Sequence, residues 1–533
     1  MKKINIFALI NSILLSLFVI IGICYDKYAT ITKIFSKPQL LILFSILIIV
    51  FYYFLKFIYS FFHNYKPREK ANYPKIITFI FYRHPFLSMS IFTILISSLY
   101  LVFFYPGTMS FDGNWQLNSY FHYWTWNDHH PALLSIIMAN ILKFGNSILD
   151  ANFGIFLFIL IELIINGLVY GYVLNIMNKL NSPLILRVIT FIFLSLFPLW
   201  SINSITYIKD TIYYLVFLFI FTFTYYHFYI LKEYKLKNFL ILGILYLILY
   251  IFRNTGFYIG ILSTLSLAFL NFKNKKIFIS FFCIFFLILS FHFFYQKVFL
   301  KIVAAEPALV REKLSIPLQQ TARYIKYYKE DISAKEREGL EQLFITDLKE
   351  VGSSYDPNRS DNVKEKIKDY PTSRELSSYF SSWISMFLKH PVVYFDATLN
   401  NIYGYFYSEH KNFMGEELGF YGITNFNENF DFHFMESTAP VRTKLESISR
   451  FLCDMPLIGL LYGCFIYVWI IITVLFYLLK EHDFKTIIYF LPIYLTFLTC
   501  LISPVNGHMR YLAPVAVSTP LIIAIIFNKN MLK

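Results

Sequence analysis

The chain has 533 residues, of which 57% are hydrophobic, 20% aromatic and only 15% charged, with a mean hydropathy of +0.55 and a net charge of +14. Soluble domains carry about 25% charged residues and do not sustain one apolar run of ~20 residues after another, so these figures exclude a soluble enzyme. They also remove the usual reason to read a basic balance as nucleic-acid binding, because in a polytopic membrane protein Lys and Arg first report topology.

In chain order, Met1-Lys2-Lys3 and the apolar run to Cys24 resemble a signal peptide, but no small-x-small cleavage site follows, which predicts an uncleaved first helix. Apolar runs predict twelve spanning helices at roughly 4–24, 39–62, 86–105, 152–176, 188–207, 211–231, 238–252, 257–272, 277–299, 455–479, 486–502 and 511–527. Loops on the side of both termini hold nineteen Lys and Arg, among them Lys66, Arg68, Lys70, Lys273, Lys275 and Lys276. The opposite short loops hold seven, which puts both termini in the cytoplasm. Residues 131–144 are apolar but too short to span, and counting them would invert every later loop. They are expected to form a juxtamembrane helix in an outer loop. Residues 300–454 sum to −4 against +18 for the rest and are expected to form a mainly helical extracytoplasmic domain between a membrane core at 1–299, whose outer loop 106–151 carries the chemistry, and a C-terminal membrane part at 455–533. Ser333 to Glu336 has capping-box spacing, and Trp383 to Tyr407 is aromatic enough to lie against the bilayer. The five cysteines, scattered in apolar runs, are expected to pack as small hydrophobes. The fold class is an all-α polytopic membrane protein.

Only ten acidic residues lie outside 300–454, and four of them, Asp112, Asp128, Asp150 and Asp210, fall in outer segments between the third and sixth expected spans. The stretch YPGTMSFDGNWQLNSYFHYWTWNDHHP (105–131) contains two acids, three His and three Trp but no Lys or Arg, so Asp112 is a candidate base that nothing in its own loop neutralises. Pro131 suits the first turn of the short helix, with Asp128 or His130 as its cap. An interfacial aromatic belt with an N-cap is the bland account of the same stretch. Adjacent His129 and His130 diverge and make a poor chelate, which leaves Asp128 and His130 as weak metal candidates.

Three outer-face cations stand at helix ends: Lys209 beside Asp210, Arg253 in FRNTGFY, and Arg510 in PVNGHMRYLAP. Each is open to a structural ion pair, such as Lys209 with Asp210, or to holding an anion, of which a lipid-linked phosphate is the natural one. Glu162, inside an apolar run, is open to pairing with a cation or to sitting protonated in the core.

These residues carry a resemblance. Phe111-Asp112-Gly113 after the third span, Asp128-His129-His130-Pro131-Ala132-Leu133 opening a surface helix, Lys209-Asp210, and Arg510-Tyr511 with Pro514 resemble the GT-C glycosyltransferases, which include the protein O-mannosyltransferases and lipid A aminoarabinose transferases. YPGTMSFDGNWQL, DHHPALLS, RNTG and SIPLQQTARYIKYY are similar to an uncharacterised family of Gram-positive multi-pass membrane proteins generally placed among GT-C-like enzymes, over most of the chain. The chain departs from the superfamily in reading Asp-Gly for Asp-Glu and HHPAL for HPPL, and in having two helices before the one that leads into the Asp loop.

The resemblance implies transfer of a sugar from a polyprenyl-phosphate donor to a cell-wall polymer, glycolipid or protein acceptor on the outer face of a Gram-positive cell membrane, within the lipid bilayer and without nucleic acid. Asp112 is then the catalytic base, Lys209, Arg253 and Arg510 hold the lipid phosphate, and Asp210 orients Lys209. Asp128, His129 and His130 position acceptor or sugar or bind a divalent metal ion, and aromatic residues of 120–126 stack on sugar or lipid. The alternatives are a transporter or lipid flippase, against which stand the absence of visible duplicated halves and the charge concentrated in one outer loop, and a polysaccharide polymerase or ligase.

Overall fold

The computed structural model describes residues 4–65, 73–407 and 429–528. The expected topology cations Lys2, Lys3, Lys66, Arg68, Lys70, Lys529 and Lys533 lie outside them. Helix makes up 77% of the structure. Seven helices are long and apolar enough to cross a membrane: Ile6–Tyr28, Pro38–Asn64, Pro85–Phe103, Ala151–Lys179, Lys209–Ile230, Lys275–Ile302 and Met509–Asn528. The chain is an all-α membrane protein.

The other five expected spans fall on helices of 17 residues or fewer. Pro198 restarts the chain as Pro198–Asn203 after Leu184–Ser195, so the run at 188–207 is two helices. The run at 455–479 becomes regular only at Cys464, after a short 3₁₀ turn at Gly459–Tyr462, and the run at 486–502 breaks at Phe490, ahead of Pro492. Leu236–Phe252 and Thr255–Leu270 have 17 and 16 residues. The surface helix, expected at 131–144, is longer, at Ala132–Ile148, and lies against Ala151–Lys179 where Gly145 meets Gly154 and leaves no room for a side chain.

Lys209–Ile230 and Met509–Asn528 form the centre, each buried over 83% of its most apolar stretch, whereas Pro38–Asn64 is buried over 6% and faces outward. Residues 314–394 surround an apolar core of their own, built on Leu318, Ile325, Val351 and Tyr379. Residues 402–406 pack instead into the large membrane core. Phe406 stacks on Phe18 with ring centroids 4.2 Å apart, and its carbonyl accepts from the Trp469 indole at 2.9 Å. Residues 402–406 of the expected 300–454 domain therefore pack beside the middle of the first helix, Ile6–Tyr28. A buried ion pair, Arg323 with Asp396 at 3.3 Å, fastens the outer core to that helix, because Asp396 also accepts from Tyr25 and from the Ile31 amide. The capping box forms at Ser333 and Glu336, and a second one, unforeseen, at Thr372 and Glu375. Four cysteines are buried as expected, but Cys283 is exposed on its helix.

The only sheet among the described residues is two residues long. Thr108 and Met109 pair in parallel with Thr206 and Tyr207, and the two Thr hydroxyls hydrogen-bond at 2.8 Å. Each strand leads directly into a helix, Phe111–Tyr120 or Lys209–Ile230. Ser110 caps the first by accepting from the Gly113 amide at 3.1 Å, while its hydroxyl donates to the Tyr207 carbonyl at 3.3 Å. Gly113 faces the same carbonyl so closely that a Cβ would overlap its oxygen. This close approach accounts for glycine at position 113. Gly113→Ala is expected to push the two strand ends apart and cost about 1–3 kcal/mol, read as a lower thermal midpoint in detergent; an unchanged midpoint contradicts the close approach.

Candidate functional site

The ladder brings together the first turns of two helices that are ~100 residues apart in sequence. Asp112, three residues after Met109, meets Lys209, two residues after Tyr207: Lys209 Nζ lies 2.6 Å from Asp112 Oδ2. The last helix contributes Arg510, whose Nη2 lies 3.1 Å from the same oxygen and whose Nε lies 3.6 Å from Asp210 Oδ2. Arg253, between Leu236–Phe252 and Thr255–Leu270, reaches the other Asp210 oxygen at 3.4 Å. The Tyr511 ring lies against both guanidinium groups, 4.6 Å from Arg253 and 5.3 Å from Arg510. Five charges thus alternate in sign, Lys209, Asp112, Arg510, Asp210, Arg253, and sum to one positive charge.

Two expectations are corrected here. Asp112 is not free of cations, because its partners come from distant parts of the chain. Lys209 pairs with Asp112 and not with its neighbour Asp210, since consecutive residues on a helix point in different directions. Burial alone would raise the Asp112 carboxyl, but Arg510 and Lys209 outweigh it and hold it well below the usual carboxylate range. His130 Nδ1 lies 2.8 Å from Lys209 Nζ, and its Nε2 lies 4.0 Å from Asp112 Oδ1. Burial, then the charge of Lys209, push this imidazole well below its ordinary value. It is neutral at pH 7 and accepts from the ammonium group through Nδ1.

Asp128 does something else. Its carboxylate accepts from the Ala132 amide at 3.0 Å, from Tyr295 at 2.7 Å and from Gln296 at 3.1 Å, so it caps the surface helix and ties it to Lys275–Ile302. Asp128, not His130, is the cap, and it does not face the charged array. Among the described residues no group of three or more His, Cys, Asp or Glu side chains is placed to hold an ion. Asp112 Oδ2 is engaged by both Lys209 and Arg510, while its Oδ1 faces His130 Nε2 at 4.0 Å. Glu162 is fully buried, with the Thr211 hydroxyl as its polar neighbour, and no described cation pairs with it; of its two readings, the cation partner is absent. Asp150 is an N-cap, accepting from Phe153 at 2.7 Å.

The array is one wall of a cavity of about 860 Å³. Phe111, Trp115, His129 and Asn254 line it from the membrane part, while Arg311, Glu312, Arg359, Asp361 and Lys364 line it from the outer region. His129 lies across the seam, 3.8 Å from Glu312, and burial lowers its pKa against the pull of Glu312. Lys364 is buried between Glu312 and Asp361, at 2.7 Å from each. Of the aromatic stretch 120–126, none lines the cavity. Trp126 is buried and donates to the Val303 carbonyl at 2.9 Å. The cavity aromatics are Phe111, Trp115 and Tyr511, two of them on the helix that carries Asp112. The outer-region residues gave no signal in the sequence, where they are a few charges among many. Asn254 stands in the RNTG stretch already singled out.

A family of unknown function, DUF6020, matches residues 121–531. The chain belongs to this family. The DUF6020 match contains Lys209, Asp210, Arg253 and Arg510, as well as the outer-region wall of the cavity, while Asp112 and the first strand of the ladder precede it. No curated protein matches the chain.

Two depressed pKa values act in different pH windows. His130 titrates lower in the folded chain than the ~6.5 of an unfolded one, so the unfolded chain takes up the proton first and stability falls as pH drops below ~6.5. Asp112 contributes stability above ~4 and loses it only as pH falls through its folded value. The thermal midpoint in detergent should decline from pH 6.5 to 5 in the wild type and less steeply in His130→Gln; parallel curves contradict a neutral buried imidazole.

Proposed function

We propose that this chain is a GT-C-type glycosyltransferase that moves a sugar from a polyprenyl-phosphate-linked donor to a cell-envelope acceptor on the outer face of the membrane. The observation that carries the reading is the array itself: three cations converge on the wall of a large cavity around two carboxylates, at the N-terminal ends of helices. The twelve-span arrangement with both termini in the cytoplasm of a Gram-positive bacterium belongs to this proposal. An outward-facing site has no access to cytoplasmic nucleotide sugars, which favours a donor carried across on a lipid.

In this reading the donor phosphate enters between Lys209 and Arg510, accepting charge-assisted hydrogen bonds, with Arg253 as the third cation. Asp210 holds both arginines in place, and His130 holds Lys209. As the phosphate takes over the two cations, Asp112 loses the charges that keep its pKa low and regains basicity when the donor is present. Asp112 then takes the proton of an acceptor hydroxyl. The hydroxyl oxygen attacks the anomeric carbon, the bond from that carbon to the phosphate oxygen breaks, and its electron pair leaves on the lipid phosphate, stabilised by Lys209, Arg253 and Arg510. A single displacement of this kind inverts the anomeric centre. No step requires a metal.

The test is product formation by the purified chain in detergent, with no ion gradient, from a polyprenyl-phosphate hexose donor and an envelope extract as acceptor. Asp112→Asn is expected to lower turnover by ~10²–10⁴ without loss of folded protein. Near-normal product from that variant removes Asp112 from the chemistry. Arg510→Ala is expected to lower kcat/KM for the donor by ~10²–10³. Gradient-dependent flux in proteoliposomes, with no product in detergent, favours the transporter reading instead.

A further inference from the structure

Asp112 lies on the helix Phe111–Tyr120, and the side chains on either side of it in helical register also line the cavity. Phe111 and Trp115 are one turn apart (i, i+4), with ring centroids at 5.9 Å, and Trp115 follows Asp112 by three residues, which places its ring about one turn, or ~5.4 Å, along the helix from the carboxylate. The Trp115 ring is held from behind by Trp124, edge-on at 5.0 Å, and by His129 at 5.9 Å. Phe111 is 54% exposed, a large apolar face beside the charged array. The indole N–H of Trp115 and Oδ1 of Asn254 have no hydrogen-bond partner among the described residues, but both atoms are themselves buried behind the wall surface.

We infer that Phe111, Trp115 and Asn254 form a carbohydrate-binding subsite for the acceptor, which seats a pyranose ring on the aromatic pair with one hydroxyl directed at Asp112. The chemistry of the wall selects this ligand. A pyranose presents a flat face of C–H groups to an aromatic ring, and hydroxyls around its edge both donate and accept, which suits a wall whose other groups include His129, Asn254 and charged side chains of both signs. An alkyl chain would cover the rings but strip water from the charged and polar side chains of the same wall without replacing its hydrogen bonds, and a peptide amine would bring a cation to an array that is already net positive. The spacing along the helix brings a hydroxyl of the seated ring within reach of the carboxylate.

The subsite rests on the transfer reading, so its test is kept separate from turnover. Saturation-transfer NMR is run on the full chain in lipid nanodiscs, with cellobiose, maltose and chitobiose as probes and n-octyl phosphate as the probe of the cationic array. At least one disaccharide is expected to receive saturation at its ring C–H protons. Trp115→Ala is expected to weaken that disaccharide by tenfold or more while octyl phosphate binding persists, and Trp115→Phe, which keeps the aromatic face, to retain most of it. Where Trp115→Ala does not fold, Asn254→Ala takes its place, with a loss of at least threefold expected. No saturation of any disaccharide, or equal binding by wild type and these variants, overturns the subsite. Binding of octyl phosphate through its alkyl chain, displaced by the Trp115→Ala substitution, also overturns it in favour of a lipid groove. Disaccharide binding with no phosphate binding leaves the subsite standing and removes the lipid-phosphate donor.

Discussion

A parallel ladder of two residues sets the geometry on which the site depends. Thr108 and Met109 against Thr206 and Tyr207 is too small a sheet to be stable alone, and it is held by what surrounds it: the paired Thr hydroxyls, the Ser110 contact to Tyr207, and the glycine that lets the backbones approach. Because both strands run the same way and each ends where a helix begins, two helix N-termini emerge side by side. Their first turns carry Asp112, Lys209 and Asp210. Buried charges of opposite sign then lie within contact distance by construction, in a place where unpaired amides and helix dipoles already favour an anion.

The third contributor, Arg510, is held from the opposite direction. The segment leading into the last helix is joined to the outer region by backbone and side-chain hydrogen bonds. Asn506 accepts from the Gly404 amide at 2.9 Å and donates to the Asn400 carbonyl at 3.1 Å, and the Ser360 amide donates to Pro504 at 2.8 Å. Residues 359–364 continue from there into the cavity wall. The outer region is therefore coupled to the charged array through a short, hydrogen-bonded path, and its insertion beside the first helix through Phe406 and Asp396 gives that path a fixed base.

Much of this was legible in the sequence, for a reason specific to membrane proteins. Charges are scarce in apolar chain, so Asp112, Lys209, Asp210, Arg253 and Arg510 could each be singled out by type and position, and all five meet in one array. Their pairing could not be read. Lys209 and Asp210 are adjacent in sequence yet engage different partners, and the cations that neutralise Asp112 arrive from residues 209 and 510, which no local composition reveals. Asp128 and His130 were both plausible caps by sequence, and only the contact to Ala132 separates them. The aromatic stretch 120–126 was conspicuous but packs on protein, Trp126 against Val303, Phe121 and Tyr123 against Phe430 and Trp124 behind Trp115, while Trp115, a single residue in a polar helix, lines the cavity. Helix lengths were overestimated where proline or a short 3₁₀ turn interrupts an apolar run, because hydropathy registers the run and not the break.

The central claim is that Lys209 and Arg510 are held by Asp112 until a lipid phosphate takes them. The most direct measurement is the equilibrium binding of undecaprenyl phosphate to the purified chain and to Asp112→Asn. If the carboxylate competes with the phosphate for the same cations, its neutralisation should tighten binding, by severalfold or more, even though it abolishes turnover. Weaker binding by Asp112→Asn, or binding indifferent to the substitution, would contradict the account.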